Sequence, residues 1–243
     1  MARRRFFVDQ IHGDQAELTG DDARHLARVL RAAAGQRYEI SDNQRVYLAE
    51  ISGLAPGRVT FRMLEPLPDD APPVEITLCA ALIKFDRYEW LIEKSTELGA
   101  ARIVPVNAAH SEKGLKPAAE KRVERWRKIA RESSQQARRA RLPEIAPAIE
   151  FAAALQQPAN YRYFLEEQSG ARPLLSAVPQ NRAATDTVAI LVGPEGGWTD
   201  LERTIASAAG WTPVSVAPSI LRAETAATAG IVILINAWLA DHP

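Results

Sequence analysis

The fifteen residues Val188 to Glu202, VAILVGPEGGWTDLE, decide how this chain is read. Val188 to Val192 is an apolar run too short for a helix and apolar on both faces, as a strand inside a parallel sheet is. It ends in Gly193-Pro194-Glu195-Gly196-Gly197, and Thr199 with Glu202 then forms a capping box that opens a helix at once. A strand that stops in glycine and turns straight into a helix leaves side-chain-poor backbone at the carboxyl edge of a sheet. Ligands bind at that edge in open α/β folds. Glycine lets a flat ligand approach main-chain N–H and C=O groups, although a tight strand-to-helix turn would use the same residues. A turn alone has no need of Glu195.

Outward from this stretch, β-type and α-type runs alternate. Strand candidates are Val74 to Ile83, Arg102 to Val106, Tyr161 to Leu165 and Pro213 to Ala217. Asp86 with Glu89 predicts a capped helix that Gly99 closes, Pro117 suits a first helical position, and Gly210 stops the helix begun at Thr199. The alternation predicts an α/β domain. A second ligand-binding edge follows in PVSVAPSILRAETAATAG, Pro213 to Gly230, where a strand runs into Ser219-Ile220-Leu221-Arg222. Ala223-Glu224-Thr225-Ala226 then opens a long apolar helix with free N–H groups at its start. Arg222 is the one Lys or Arg after Arg203. It either pairs with Glu195 or Glu224 or faces an anionic or electron-rich substrate.

Upstream, PLPDDAPP places four of the sixteen prolines between Pro66 and Pro73, a stiff connection that divides the chain into domains 1–70 and 71–243. The first holds short β-type runs, Arg4 to Val8, Arg37 to Ile40, Val46 to Ile51 and Arg58 to Met63, and reads as a small barrel-like domain. Its one helix, about Asp21 to Ala33, sets Ala23, Leu26, Leu30 and Ala33 on one stripe and Arg24, Arg28 and Arg31 on another.

At 243 residues and 47% hydrophobic content the chain can bury one large core or two modest ones. Thirty Lys and Arg balance thirty Asp and Glu, so attraction to a polyanion must be local. Residues 110–142 carry 11 basic and 4 acidic side chains, whereas residues 143–243 carry 5 and 10. A basic segment on a neutral chain suits a polyanion held at one face, and it also suits a solvated helix. The lone Cys79 lies in an apolar strand, and MARRRFFVDQ has no secretory apolar stretch, so a reducing cytoplasm is expected. The apolar tract Gly230 to Ala240 is too short to span a bilayer. The four histidines lack metal-ligand spacing, so no metal is expected. P-loop, nucleophile-elbow and dinucleotide fingerprints are missing from the sequence.

The GPEGG block with its following Thr and Glu resembles the ribosomal RNA small subunit methyltransferase E family. So do ILRAETA, KFDRYEWLIEKSTELGA, RWRKIARESSQQARRARLP, and RRFFV with HLARVLR, and together these blocks cover nearly the whole chain in order. The resemblance implies a PUA-like N-terminal RNA-binding β-barrel and a C-terminal SPOUT domain, an α/β fold with a parallel sheet and a deep trefoil knot. It implies a homodimer that methylates N3 of one uridine in 16S ribosomal RNA, free or in the small subunit, from S-adenosylmethionine, leaving S-adenosylhomocysteine. Val216-Ala217 and Ser219 stand where the family commonly has Leu-Gly and an arginine.

Carried onto this chain, the methyl donor would meet Leu165, the Gly193, Pro194, Glu195, Gly196 and Gly197 loop, and Ile220, Leu221, Arg222, Thr225 and Ala226. Leu165, Ile220 and Leu221 would be its apolar walls, and Thr225 and Ala226 would offer helix-terminal N–H groups. Arg222 would stabilise charge developing on a uracil carbonyl, and Glu195 or Glu224 would accept the N3 proton. RNA would be held by Arg3, Arg4, Arg5, Arg24, Arg28 and Arg31, and by Arg122, Arg125, Lys128, Gln136, Arg138, Arg139 and Arg141. The same fold could instead methylate another RNA atom such as a ribose 2′-OH, or persist as a silent RNA-binding assembly factor.

Overall fold

The computed structural model describes residues 4–8, 11–68, 71–168 and 170–240. Contacts divide the chain into two units: residues up to Ala71 together with Arg131–Leu142, and Pro72–Ala130 together with Pro143 onward. The basic segment, read from sequence as part of the second domain, is thus shared between them.

In the smaller unit, β1 (Arg5–Phe7), β2 (Ile11–His12), β3 (Gln15–Thr19), β4 (Arg37–Ser41), β5 (Val46–Ala55) and β6 (Arg58–Leu67) form one sheet in the order β1-β4-β5-β6-β3-β2. Phe6, Leu18, Ile40, Ile51 and Phe61 alternate inward and bury its core. β6 runs on through Pro66, which the sequence reading placed in the connection. Its pairing with β3 ends at Arg62, and a proline is tolerated where a strand has a neighbour on one side only. The expected thirteen-residue helix is α1 (Gly20–Arg24) followed by a π-helical turn over His25–Val29. Leu30 N–H reaches back to the His25 carbonyl, and Arg31, at φ 51°, ends the element without the glycine that normally marks such a stop.

The returning segment 131–142 is fixed to this unit by charge. Arg5, 3% exposed, gives Nε and Nη2 to Glu39 at 3.1 and 2.9 Å, and Arg138 takes the other Glu39 oxygen. Arg131 and Gln135 both hold Asp22, at 2.8 and 2.9 Å, and Ser41 Oγ donates to the Ala140 carbonyl at 2.6 Å.

The larger unit contains β7 (Glu75–Ala81), α2 (Phe85–Glu97), β8 (Arg102–Asn107), α3 (Leu115–Glu120), α4 (Val123–Gln136, whose second half belongs to the smaller unit) and β9 (Glu144–Ile145). It continues with β10 (Ile149–Glu150), α5 (Phe151–Ala154), β11 (Tyr161–Leu165), β12 (Arg172–Pro173) and α6 (Leu174–Ala177). β13 (Thr187–Val192), α7 (Asp200–Ala208), β14 (Thr212–Ser215) and α8 (Ala223–Leu239) complete it. The sheet order is β10-β8-β7-β13-β11-β14-β12, with β9 beside β8, and every pairing is parallel. Val188 to Val192 are buried on both faces because apolar layers cover the sheet on both sides. Thr199 and Glu202 form the expected capping box, and Gly210 closes α7 at φ 81°. The box expected from Asp86 and Glu89 does not form, because α2 starts at Phe85 with Lys84 as its N-cap and Asp86 lies within the first turn; Glu89 instead accepts Arg122 at 3.1 Å and Arg125 at 2.6 and 2.7 Å. Pro117 occupies the third position of α3, not the first.

Glu39→Ala should leave the buried Arg5 uncompensated and destabilise the protein by about 3 to 5 kcal/mol, read as a lower urea midpoint. A loss under about 1 kcal/mol would show that the pair carries no such weight.

Candidate methyl-donor cavity

β13, β11 and β14 are neighbours in the sheet, and their carboxyl ends, Val192, Leu165 and Ser215, open on one cavity of about 420 Å³. The convergence follows from strand order. β11 lies between two strands that come later in the chain, so three separate loops leave the sheet side by side.

Of the residues expected to hold the methyl donor, Leu165, Gly193, Pro194, Gly197, Ile220, Leu221 and Ala226 line this cavity, whereas Glu195, Gly196, Arg222 and Thr225 flank it. Val216, Ala217 and Ser219, the points of departure from the family pattern, also line it. Ala226 cannot offer a free N–H, because that group closes the first helical bond to the Arg222 carbonyl at 2.8 Å.

The glycines are required by what lies against them. A Cβ on Gly193 would stand 2.9 Å from the Trp198 ring, and one on Gly196 would stand 3.0 Å from His110 Cβ. Gly197 has φ +67°, and the Glu167 carboxylate fills the place its side chain would take. Trp198, 4% exposed, stacks on Phe164 with centroids 4.8 Å apart and donates its indole N–H to the Leu165 carbonyl at 2.9 Å. His110 Nδ1 lies 2.9 and 3.0 Å from the carbonyls of Gly196 and Gly197. It must therefore carry the proton and donate. Glu202 completes the frame: one oxygen accepts Thr199 N–H and hydroxyl, both at 2.9 Å, and the other accepts Ala109 N–H at 2.8 Å.

Glu166, the residue after β11, accepts Arg203 Nε and Nη2 at 2.7 and 3.2 Å. Burial acts to raise its carboxyl, but the Arg203 guanidinium and the N–H groups of Gln168 and Glu167 outweigh that and hold it below the usual 4.5. Trp198, His110, Glu166, Glu167 and Arg203 were all missed from sequence. The signals available were a tryptophan directly after GPEGG and an acidic pair directly after a strand.

Two of the three proposed catalytic groups have their surroundings changed. Glu195 pairs with Arg87 of α2 and not with Arg222. Arg222 is exposed at the N-cap of α8 and makes no ion pair among the described residues. Glu224 is 8% exposed, and its Oε2 has no hydrogen-bond partner.

Several expected RNA contacts are engaged within the protein. Arg5 is buried on Glu39, so it is not an RNA contact. Arg138 also holds Glu39, Arg24 holds Asp21, and Arg122 and Arg125 share Glu89, with Arg122 lying 4.4 Å from the Phe85 ring centroid. Arg4 donates to His25 at 3.1 Å, and Arg141 to the Gln44 carbonyl at 3.3 Å. Arg28, Arg31, Lys128 and Gln136 are exposed, and burial pushes the half-buried Arg139 down to about 10. Arg3 lies outside the described residues.

Residues 70–235 match a model of an RNA methyltransferase domain, and residues 18–64 match one of an RNA methyltransferase PUA domain. The chain is 32% identical to the ribosomal RNA small subunit methyltransferase E of a Synechocystis strain, over 95% of this chain and 76% of that protein. It is 29% identical to the Bacillus subtilis protein of the same name, over 86% and 85%. Among solved structures, ribosomal RNA small subunit methyltransferase E from Neisseria gonorrhoeae, bound to S-adenosylmethionine, superposes with a TM-score of 0.86 at 27% identity and 98% coverage of both chains. A methyltransferase from Legionella pneumophila with bound S-adenosylmethionine gives 0.87 at 25% identity, again with 98% coverage of both chains.

A carboxylate whose pKa falls on folding adds stability that is present above its unfolded value and lost as pH falls through its folded value. Urea midpoints should therefore drop as the pH is taken below about 4.5. Glu166→Gln should start from a lower midpoint and lose part of that drop. An acid limb identical in both proteins would assign the titration to other groups.

Proposed function

Because the chain belongs to the ribosomal RNA small subunit methyltransferase E family, we propose that it methylates N3 of one uridine in 16S ribosomal RNA, with S-adenosylmethionine as methyl donor. The observation that carries this reading is the convergence of three strand ends, one of them the GPEGG loop, on a single cavity beside an exposed arginine. The site fits the methyl donor: about 420 Å³ suits a ligand of that size. Leu165, Ile220 and Leu221 provide apolar walls, and Gly193 and Gly197 line the cavity with loop that carries no side chain.

When bound, S-adenosylmethionine supplies an electrophilic methyl on a sulfonium. The protein's own task is the acceptor, since uracil N3 attacks only as its proton leaves. Arg222 is exposed beside the cavity, has no ion pair among the described residues, and carries a guanidinium that stays charged, so it stabilises the uracil carbonyl oxygen as negative charge grows there. Of the two proton-acceptor candidates, Glu195 has an oxygen held by Arg87, whereas Glu224 is buried outside the cavity lining with Oε2 unpartnered, so its role requires N3 to come within hydrogen-bond reach in the bound complex. Glu195 then serves to brace the GPEGG loop against α2. The loop geometry aligns sulfur, methyl and N3.

The exposed Arg28, Arg31, Lys128 and Gln136, together with Arg4, Arg139 and Arg141, are the RNA contacts in this reading, most of them to phosphates. The substrate is 16S rRNA, free or within the small subunit. The fold reading is completed by a PUA-like barrel in the smaller unit and a deep trefoil knot around the cavity loops, which the side-by-side exits of β11, β13 and β14 support. Trp90 of α2, 42% exposed, and the exposed Val232 and Leu239 of α8 present apolar surface on two helices that pack together. A homodimer would cover it. The cytoplasm, where ribosomes are, is its place of action; among the described residues no helix is long and apolar enough to cross a membrane.

Nucleoside mass spectrometry with primer extension on ribosomal RNA from cells lacking the gene should reveal one missing 3-methyluridine. Intact 3-methyluridine with a lost ribose methyl would transfer the assignment to that chemistry. In vitro, Arg222→Ala should lower kcat about a hundredfold or more and leave affinity for the methyl donor within twofold. An unchanged kcat would remove Arg222 from the transition state.

A further inference from the structure

Among the described residues that line the cavity, Glu166 and Glu167 alone are charged. Their situations differ. Glu166 is matched by Arg203 and also accepts the N–H groups of Glu167 and Gln168 at 2.9 and 3.2 Å. Among the described residues Glu167 has only Arg203 Nη2 at 3.9 Å, beyond hydrogen-bond reach, on a guanidinium that already serves Glu166 and Asp200. Its side chain is 41% exposed. Gly197, with no Cβ, leaves room for the carboxylate against the loop. Among the described residues the cavity wall therefore presents one negative charge, that of Glu167, which a shared and distant Arg203 offsets only in part.

We infer that Glu167 is the residue that distinguishes the charged methyl donor from its spent product, an inference that rests on reading the cavity as the S-adenosylmethionine site. S-adenosylmethionine and S-adenosylhomocysteine share adenine, ribose and a zwitterionic amino-acid end, and differ by one methyl and one positive charge at sulfur. A contact to any shared part changes both affinities alike, and only a charge responds to the sulfonium. On transfer, the C–S bond breaks with its electron pair left on sulfur as the new N–C bond forms, so sulfur becomes neutral. The attraction to Glu167 ends with that step, and the product is held less tightly than the reactant it replaces. A carboxylate about 4 to 6 Å from a cation in a hydrated cavity favours it by roughly three- to tenfold. Salt weakens such an attraction.

Titration calorimetry on the full chain tests this with three ligands: S-adenosylmethionine, S-adenosylhomocysteine, and an analogue carrying a protonated amine in place of the sulfonium. Glu167→Gln should weaken the two cationic ligands by roughly three- to tenfold while S-adenosylhomocysteine stays within twofold. Glu167→Asp, which keeps the charge, should keep the preference. In the wild type, rising salt should weaken the two cationic ligands more than the neutral thioether. Equal losses for all three ligands would place the carboxylate on the ribose or the ammonium and overturn the inference, as would no loss at all or identical salt slopes. Failure of the wild type to bind any of the three would instead sink the reading of the cavity itself.

Discussion

The cavity depends on one constraint, the seating of the Trp198 indole beneath Gly193. The ring occupies the space a side chain at 193 would need, and its N–H reaches the Leu165 carbonyl. One residue thus sets the separation between the ends of β11 and β13. The face of the ring is spent on Phe164 and its edge on a carbonyl, so burial leaves no polar atom of the indole unsatisfied. Arg203 extends the same frame by donating to the Trp198 carbonyl at 2.6 Å while holding Glu166. Glu202 performs the matching task on the other side of the loop, tying the start of α7 to the Ala109 N–H after β8. Glycine makes the loop permissive, and these neighbours make it rigid, which is the condition for main-chain groups to recognise a ligand without reorganising.

Charge in this chain is concentrated in sequence far more than it is available in space. Residues 110–142 carry the basic excess, yet Arg122 and Arg125 are matched by Glu89, Arg131 by Asp22 and Arg138 by Glu39. The partly exposed pairs contribute little individually. The Arg5–Glu39–Arg138 group is different, because its Arg5 and Glu39 are almost wholly withdrawn from water. Burying such charges is costly, and what they provide is register: a distant segment can satisfy Glu39 in one position only. The chain closes its smaller unit with a segment 60 residues beyond Ala71 by electrostatic selectivity more than by apolar area.

The parallel strands were legible because a strand buried on both faces leaves an unbroken apolar run. Tyr161–Leu165 has the expected bounds, and Val188–Val192 falls one residue short of the strand formed. The GPEGG and ILRAETA stretches marked two walls of the cavity, since glycine after a strand and the start of a long apolar helix are local signals. What escaped was non-local. The binding of Glu89 to Arg122 and Arg125 depends on residues 33 and 36 positions away. His110 meets Gly196 across 86 positions, and its isolation from other histidines removed it from consideration only as a metal ligand. The π-helical turn at His25–Val29 carries no glycine or proline to announce it. A lone cation such as Arg222 is expected to pair with a glutamate, but Glu195 is taken by Arg87, 108 positions before it.

Methyl transfer from a sulfonium to a nitrogen that must lose a proton makes opposite electrostatic demands within a few ångströms. The methyl donor begins positive and ends neutral, and the acceptor ring gathers negative charge at its carbonyl oxygens before the methyl arrives. A single cation in the cavity would oppose binding of the first, and a single anion at the rim would oppose ionisation of the second. The arrangement here keeps the two apart. The charged residues of the lining, among those described, are acidic, with Glu166 paired to Arg203 and Glu167, 41% exposed, set against Gly197. The free guanidinium of Arg222 stands outside the lining at the α8 N-cap, where it adds to the positive end of the helix dipole. Segregating the charges this way requires that the loops bearing them leave adjacent strands and stay fixed. The parallel order β13-β11-β14 supplies the adjacency and Trp198 supplies the fixity, so the sheet topology and the chemistry are two aspects of one construction.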